Sequence, residues 1–178
     1  MKHIMMDIET LSTNSNGAIT TISAVQFNLE NGKIGKTFEI AIKLDEQVNN
    51  GAVIDIPTVV WWMSQDEEAI KTMLRIEKRD VDFALLAFND WIKSLGKPLN
   101  DMKLWGNGVS FDNVMVRNLY KRHNIEFALP YWCDNDVRTL VTLGNIDTRN
   151  FPFKGIKHNG IDDCKHQINY CHSAYKGL

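Results

Sequence analysis

The chain has 178 residues, of which 44% are hydrophobic and 24% charged, a composition able to bury a substantial core without disulfides or structural metals. Its 20 Lys and Arg against 22 Asp and Glu leave a formal net charge of -2, which excludes the broad basic surface of a tight duplex binder. No apolar run approaches the roughly 18 residues a membrane span needs, so no membrane partner is expected.

The chain opens with MKHIMMDIETL, whose short apolar patch is interrupted by Asp7 and Glu9 and cannot serve as the apolar region of a signal peptide. Export is therefore not expected. The first third reads as three strands, His3–Ile8, Ile19–Leu29 and Gly35–Leu44, separated by short turn-forming stretches, which suggests an antiparallel meander. After Pro57 the apolar spacing becomes helical, first across Thr58–Leu74 and then across Val81–Leu95, which stops at Gly96 and Pro98. A fourth strand is predicted at Met102–Trp105 and a helix at Ser110–Lys121. Another helix starts near Asp136, and a last one runs over Asn159–Ala174. Strands first, then strands alternating with helices, imply a mixed sheet covered by helices. With no repeat or linker dividing the chain, residues 1–178 are expected to form a single domain.

Cys133, Cys164 and Cys171 form no CxxC pair and leave an odd thiol, which fits reduced cysteines in a cytoplasmic protein. Cys164 and Cys171 with His166 and His172 lack zinc-finger spacing, so zinc is not expected.

Asp7 and Glu9 share one face of the first strand, because strand side chains alternate. Acidic residues are depleted from strands, and two readings stay open: a charged edge that resists aggregation, or a pair of hard oxygen ligands for Mg²⁺ or Mn²⁺. Asp112 follows a predicted strand and opens a predicted helix, where the helix dipole would favour it in any case. Gly106 and Gly108 allow close backbone approach at the end of that strand, or simply a turn. Asn159 is a candidate N-cap with Asp162 at the capping-box position, which leaves Asp163 without a capping duty. His158 stands five residues before Asp163 in a loop; alone it reads as an ordinary surface histidine. Asp136 reads as a helix cap, and His123, His166 and His172 as structural.

Read together, DIET with Asp7 and Glu9, NGVSFD with Asp112, and HNGIDD with His158 and Asp163 resemble the three exonuclease motifs of the DEDDh group, the superfamily of polymerase proofreading subunits, RNase T and oligoribonuclease. The order, the strand-to-helix contexts and the His-x4-Asp spacing agree, and the motifs reach from residue 7 to residue 163. A closer resemblance is to the small phage and bacterial 3′-to-5′ exonuclease or exoribonuclease branch. Its runs stand here as Trp61, Trp62, Ser64 and Gln65, as Trp105 to Asp112, as Asp136 to Thr139, and as His158 to Asp163. Gly160 stands where that branch often carries Ala, a departure expected to cost no more than about 1 kcal/mol of helix propensity.

The resemblance implies an RNase H-like α/β fold, a mixed five-stranded sheet with a three-strand antiparallel meander plus parallel strands, flanked by helices. It implies a 3′-to-5′ exonuclease that hydrolyses single-stranded DNA or RNA from its 3′ end and releases nucleoside 5′-monophosphates. Two divalent cations, Mg²⁺ or Mn²⁺, would be held with Asp7 shared between them, Glu9 and Asp163 completing one shell and Asp112 the other, and His158 would act as general base. Cations held at an acidic site also answer the low net charge, since they bring positive charge where the phosphate must sit. Four carboxylates without cations would force some to protonate, so activity is expected to need metal and to weaken in acid. Thr10 and Leu11 would meet the terminal nucleotide. Trp62, Trp105 and Phe111 offer faces for base stacking worth about 1–3 kcal/mol per base, with core packing as the other role open to the tryptophans. Competing readings are a catalytically silent nucleic-acid-binding module, an endonuclease or ribonuclease H, and a nucleotide phosphohydrolase. The intact D, E, D, H, D set argues against the first, and the histidine five residues before the last Asp favours the exonuclease branch over the second. Homodimers are common among the resembling enzymes, and no pattern in this chain decides for or against one.

Overall fold

The apolar N-terminal segment folds as the expected meander, β1 (His3–Thr10), β2 (Ile19–Phe27) and β3 (Ile34–Ile42), with both pairings antiparallel. The computed structural model describes residues 1–75 and 77–178, the side chains of 72–75 excepted. After the meander come α1 (Asp45–Asn49), α2 (Ile56–Met63), α3 (Glu67–Arg75), β4 (Lys78–Arg79) and α4 (Val81–Ser94). Two further parallel strands, β5 (Lys103–Gly106) and β6 (Asp134–Asp136), alternate with α5 (Asp112–Arg122), α6 (Val137–Leu143) and α7 (Gly160–Lys176).

The sheet order is β4-β3-β2-β1-β5-β6, a mixed sheet flanked by helices. It counts six strands rather than five because β4, two residues pairing parallel with β3, extends one edge. So short a strand leaves no periodic signal in sequence. The helix predicted over Thr58–Leu74 is two helices, and the side chain of Leu74 lies outside the described residues. Ser64 Oγ and Gln65 Nε2 both donate to the Trp61 carbonyl, at 2.7 and 3.0 Å, and so close α2 before Asp66.

Alternation along β1 sorts its side chains between two cores. Ile4, Met6 and Ile8 pack with Leu85, Phe88 and Val116 on the α4 and α5 side. Met5 packs with Val25, Trp105, Val137 and Ile168 on the α6 and α7 side. Asp7 and Glu9 continue the Met5 row, so both point toward α7 at the end of β1 where α7 begins. No helix among the described residues is long and apolar enough to cross a membrane.

The pairing of β1 with β2 shifts register between Glu9 and Thr10, which pair with Thr21 and Ile19. The extra residue, Thr20, donates its hydroxyl to the Glu9 carbonyl at 3.0 Å. Gln47, fully buried, completes the edge: its Oε1 accepts from Ile19 N at 2.9 Å, and its Nε2 donates to Ile19 O at 2.8 Å and Lys43 O at 2.9 Å. An amide side chain thus stands in for a strand partner where the bulge leaves Ile19 exposed to the core. Gln47→Leu keeps volume but strands both Ile19 groups, and the expected loss is about 2–4 kcal/mol of unfolding free energy in urea titration. A loss below about 0.5 kcal/mol would mean that water takes over both bonds.

Candidate active site

Four elements deliver the motif residues to one place. Asp7 and Glu9 come from the end of β1, Asp112 from the first residue of α5, and Asp163 from the first turn of α7. His158 precedes α7 in a loop with φ of 63°, a left-handed conformation that is uncommon for a residue with a side chain. Four local hydrogen bonds surround it. Asn159 caps α7 by accepting from Asp162 N at 3.2 Å, and the Asp163 carboxylate accepts from the His158 backbone N–H. Asp162 does not close a capping box; its Oδ2 accepts from Ile156 N at 3.1 Å and its Oδ1 from Lys165 Nζ, pinning the loop against the helix.

Glu9, His158 and Asp163 each offer a ligand atom, and the three atoms lie within 4.8 Å of one another. Asp7 stands in the same field. Its carboxyl is raised well above the usual carboxylate range by burial and then by Asp112 and Asp163, while a hydrogen bond from Gln167 Nε2 to Oδ1 at 2.8 Å opposes the rise. Glu9 is pushed up to about 10 by burial and by Asp7, Asp163 and Asp112. Asp112 reaches about 7 through burial, held back by backbone N–H groups, including those of Ile8 and Asn107, and by Arg138. Asp163 reaches about 6, again chiefly through burial. His158 is lowered by burial and by Lys157, which leaves its imidazole neutral near pH 7.

Without cations this arrangement is costly, because buried carboxylates at close range cannot all ionise. Asp163 Oδ2 is buried and has no hydrogen-bond partner among the described residues. An orphaned carboxylate oxygen among further oxygen donors fits a hard divalent cation.

Glycine permits the crowding at two points. A Cβ on Gly106 would sit 2.2 Å from Asn113 Oδ1 and 3.0 Å from the Asp112 Cβ, so the close approach anticipated at the end of β5 is that of α5 itself. A Cβ on Gly160 would sit 2.3 Å from Ser23 Oγ and 2.6 Å from Ser23 Cβ. The expectation that glycine there matters little is therefore corrected. With Ser23 on β2, alanine at 160 would push α7 off the sheet.

A cavity of about 320 Å³ opens beside Glu9, lined by Ile8, Thr10, Thr13, Thr58, Trp61 and Phe111. Thr10 and Phe111, both expected to meet the substrate, line this cavity. Leu11 is not among the lining residues; its backbone N–H and carbonyl are committed to Ala18 and Asp55. Trp62 is 4% exposed and donates its indole N–H to Thr10 O at 2.9 Å, and Trp105 is 7% exposed and donates to His3 Nδ1 at 3.0 Å. Neither offers a free face to a base, which corrects both as stacking candidates. Trp105 belongs to the core under α6 and α7 because its place in β5 turns it that way. The available face is that of Trp61, 44% exposed, whose ring meets His158 edge-on at 5.0 Å. The WW pair in the sequence carries no local signal of which member points out.

Sequence reading also missed Gln167. Its position four residues after Asp163 puts the two on one helical face, which is the signal that would have found it. Asp136 caps α6 as expected, accepting from Thr139 N and Oγ1, and its other oxygen accepts from Val109 N at 2.9 Å, fixing the loop before Asp112.

The model of the 3′-5′ exoribonuclease Rv2179c-like domain matches residues 2–175. The chain belongs to this Rv2179c-like family. Its members are 3′-5′ exoribonucleases, phosphodiester hydrolases. No curated protein matches the chain. Among solved structures, the nuclease domain of 3′hExo, a DEDDh family member bound to rAMP, aligns with a TM-score of 0.63 at 14% identity, covering 98% of this chain and 91% of that one. E. coli exonuclease I with a dT13 oligonucleotide gives 0.60 at 14% identity, covering 96% of this chain. Its zinc-bound form with single-stranded DNA gives 0.59 at 16%, covering 94%. The Rv2179c-like chain spans only 40% and 38% of those two exonuclease I chains. At such identities the likeness is one of fold, the RNase H-like exonuclease fold with its mixed sheet and flanking helices.

The raised carboxyls set a pH dependence. A carboxyl whose folded value lies above its unfolded one favours the folded state fully below about pH 4, and this contribution is lost as pH rises through about 6 for Asp163 and about 7 for Asp112. The metal-free protein should therefore lose stability from pH 5 to pH 8. Cations compete with those protons, so the rise in Tm on replacing EDTA with Mn²⁺ should be larger at pH 8 than at pH 5. Thermal melts at both values test this; an equal rise at both would contradict it.

Proposed function

We propose that this domain removes nucleotides one at a time from the 3′ end of single-stranded nucleic acid, with Asp7, Glu9, Asp112 and Asp163 holding two divalent cations, Mg²⁺ or Mn²⁺, and His158 as general base. The observation that supports it most is the approach of the Glu9, His158 and Asp163 ligand atoms within 4.8 Å, beside Asp7, whose ionisation burial, Asp112 and Asp163 oppose, and Asp112, which burial raises. RNA is the substrate the family favours, and exonuclease I with dT13 and 3′hExo with rAMP show relatives with single-stranded DNA and a nucleotide in place. Residues 1–178 act as one exonuclease domain on this reading, and the three buried free cysteines suit a reducing, cytoplasmic setting.

Divalent cations, when bound, acidify the attacking water and offset the charge that builds on the phosphoryl group. The protein supplies the rest. His158, neutral near pH 7 and kept inward by its left-handed backbone and the flanking indoles of Trp61 and Trp62, takes the proton of that water. The oxygen joins phosphorus as the bond to the 3′ oxygen breaks, so the released nucleotide keeps a 5′ phosphate and the shortened chain ends in a new 3′ hydroxyl. Gln167 fixes one oxygen of Asp7. The cavity beside Glu9 takes the terminal base, with Trp61 and Phe111 as its aromatic walls and Thr10 and Thr13 along its edge. Helix α2 ties the two halves together, since Trp62 holds Thr10 O while Trp61 touches His158.

A 3′-labelled single-stranded oligonucleotide with Mn²⁺ or Mg²⁺ should release mononucleotides, and activity confined to free nucleotides would defeat the reading in favour of a phosphohydrolase. Asp7→Ala is expected to abolish release. His158→Ala should retain Mn²⁺ binding by calorimetry yet slow release by roughly 10²- to 10⁴-fold; full activity in either variant refutes the assignment. Trp61→Ala is expected to lower kcat/KM by about 10-fold through lost stacking. Undiminished cleavage by that variant would take the base out of this cavity.

A further inference from the structure

A second cavity, of about 270 Å³, is lined in part by Asn107, whose backbone N–H reaches Asp112, and its chemistry is the opposite of the first. Asn107, Arg138, Thr148 and Tyr170 contribute its polar lining, Val137 and Val141 its apolar part, and no carboxylate borders it. The two cavities share no residue. The first reaches the carboxylate centre through Glu9; the second reaches it through Arg138, whose charge acts on Asp112, and through Tyr170, whose hydroxyl feels Asp7 and Asp163.

Arg138 is exposed, and its guanidinium makes no hydrogen bond or ion pair among the described residues. An arginine whose charge reaches a carboxylate, as that of Arg138 reaches Asp112, would ordinarily pair with it. Instead its guanidinium packs under the loop that follows β5, 3.5 Å from where a Cβ on Gly108 would stand, and glycine there leaves that side of the group uncovered. Tyr170, in contrast, is buried, held by the rings of Phe151 and His166, and its hydroxyl has no hydrogen-bond partner among the described residues. A fixed hydroxyl, an amide and a guanidinium line one space, and among the described residues the hydroxyl and the guanidinium have no protein partner.

We propose that this cavity is a phosphate subsite in which Arg138, with Asn107 and Tyr170, receives the phosphodiester one linkage 5′ of the scissile bond. The inference rests on the exonuclease reading and adds a direction to it. The aromatic cavity takes the terminal base, the scissile phosphate lies over the carboxylates, and the strand leaves past α6. A guanidinium fork suits this linkage because it binds non-bridging oxygens of a phosphate whatever base is attached, which is what a sequence-tolerant exonuclease needs. Its cost in free protein is small, since an exposed guanidinium stays hydrated until the strand arrives.

The test uses the intact protein with Mn²⁺ and two single-stranded oligonucleotides of one sequence, one all phosphodiester and one carrying a single uncharged methylphosphonate at the linkage next to the scissile bond. For release of the first nucleotide, the neutral linkage should raise KM by about 10-fold or more in the unmodified protein. Arg138→Ala should raise KM on the charged substrate by a similar factor, and the two changes together should cost no more than one alone. Arg138→Lys, which keeps the charge without the fork, should fall between. Equal KM for both substrates in the unmodified protein, or effects that multiply in the variant, would overturn the subsite while leaving the nuclease intact. Failure to cleave even the all-phosphodiester control would sink the nuclease reading and this one with it.

Discussion

Carboxylates repel, and this fold brings four of them together at the end of one strand, largely out of water. Burial alone raises each of them, and the mutual repulsion of Asp7, Glu9, Asp112 and Asp163 raises Asp7 and Glu9 further. Such a cluster is stable only when protonated or when positive charge is placed among its oxygens. Lys157 and Arg138 lower Asp163 and Asp112 without offsetting the rise that burial causes. The opposed arginine, Arg138, modulates Asp112 without pairing with it.

The scaffold works to keep the cluster from relaxing. Side-chain parity along β1 commits Asp7 and Glu9 to the α7 face, and a buried amide at Gln47 holds the neighbouring bulge so that the end of the strand cannot slide. Gly106 and Gly160 remove the two Cβ atoms that would keep α5 and α7 at a distance. The first turn of α7 is fastened to the preceding loop through Asn159, Asp162 and Asp163, which is why His158 tolerates a left-handed backbone. Together these devices hold a donor set that would otherwise spread apart.

Around the carboxylates the surroundings are divided by chemistry. Aromatic and apolar groups gather on the side of Glu9 and Trp61, and hydrogen-bond donors on the side of Asn107, Arg138 and Tyr170. On the proposed reading, the bases of a nucleic acid strand suit the first side and its charged backbone the second. This polarity accords with membership of the Rv2179c-like 3′-5′ exoribonuclease family, and it is a property of the chain's own side chains.

What the sequence decided by itself is what depends on neighbours within a few residues. The spacing of Asp7 and Glu9 determined their shared face, Asn159 and Asp136 declared themselves as caps, and three consecutive strands with short turns, then strands alternating with helices, indicated the meander and the mixed sheet. What only the tertiary structure decided involves residues far apart in the chain. Gln167 meets Asp7 across 160 positions, and Trp105 meets His3 across 102, which removes that indole from any part in stacking. The choice between Trp61 and Trp62 turned on which of them the end of β1 and the loop before α7 would bury, and the need for glycine at 160 came from a serine on β2. Periodicity and capping are written in consecutive residues; close approach between separate elements is set by the sum of their packing, and no single stretch of sequence contains it.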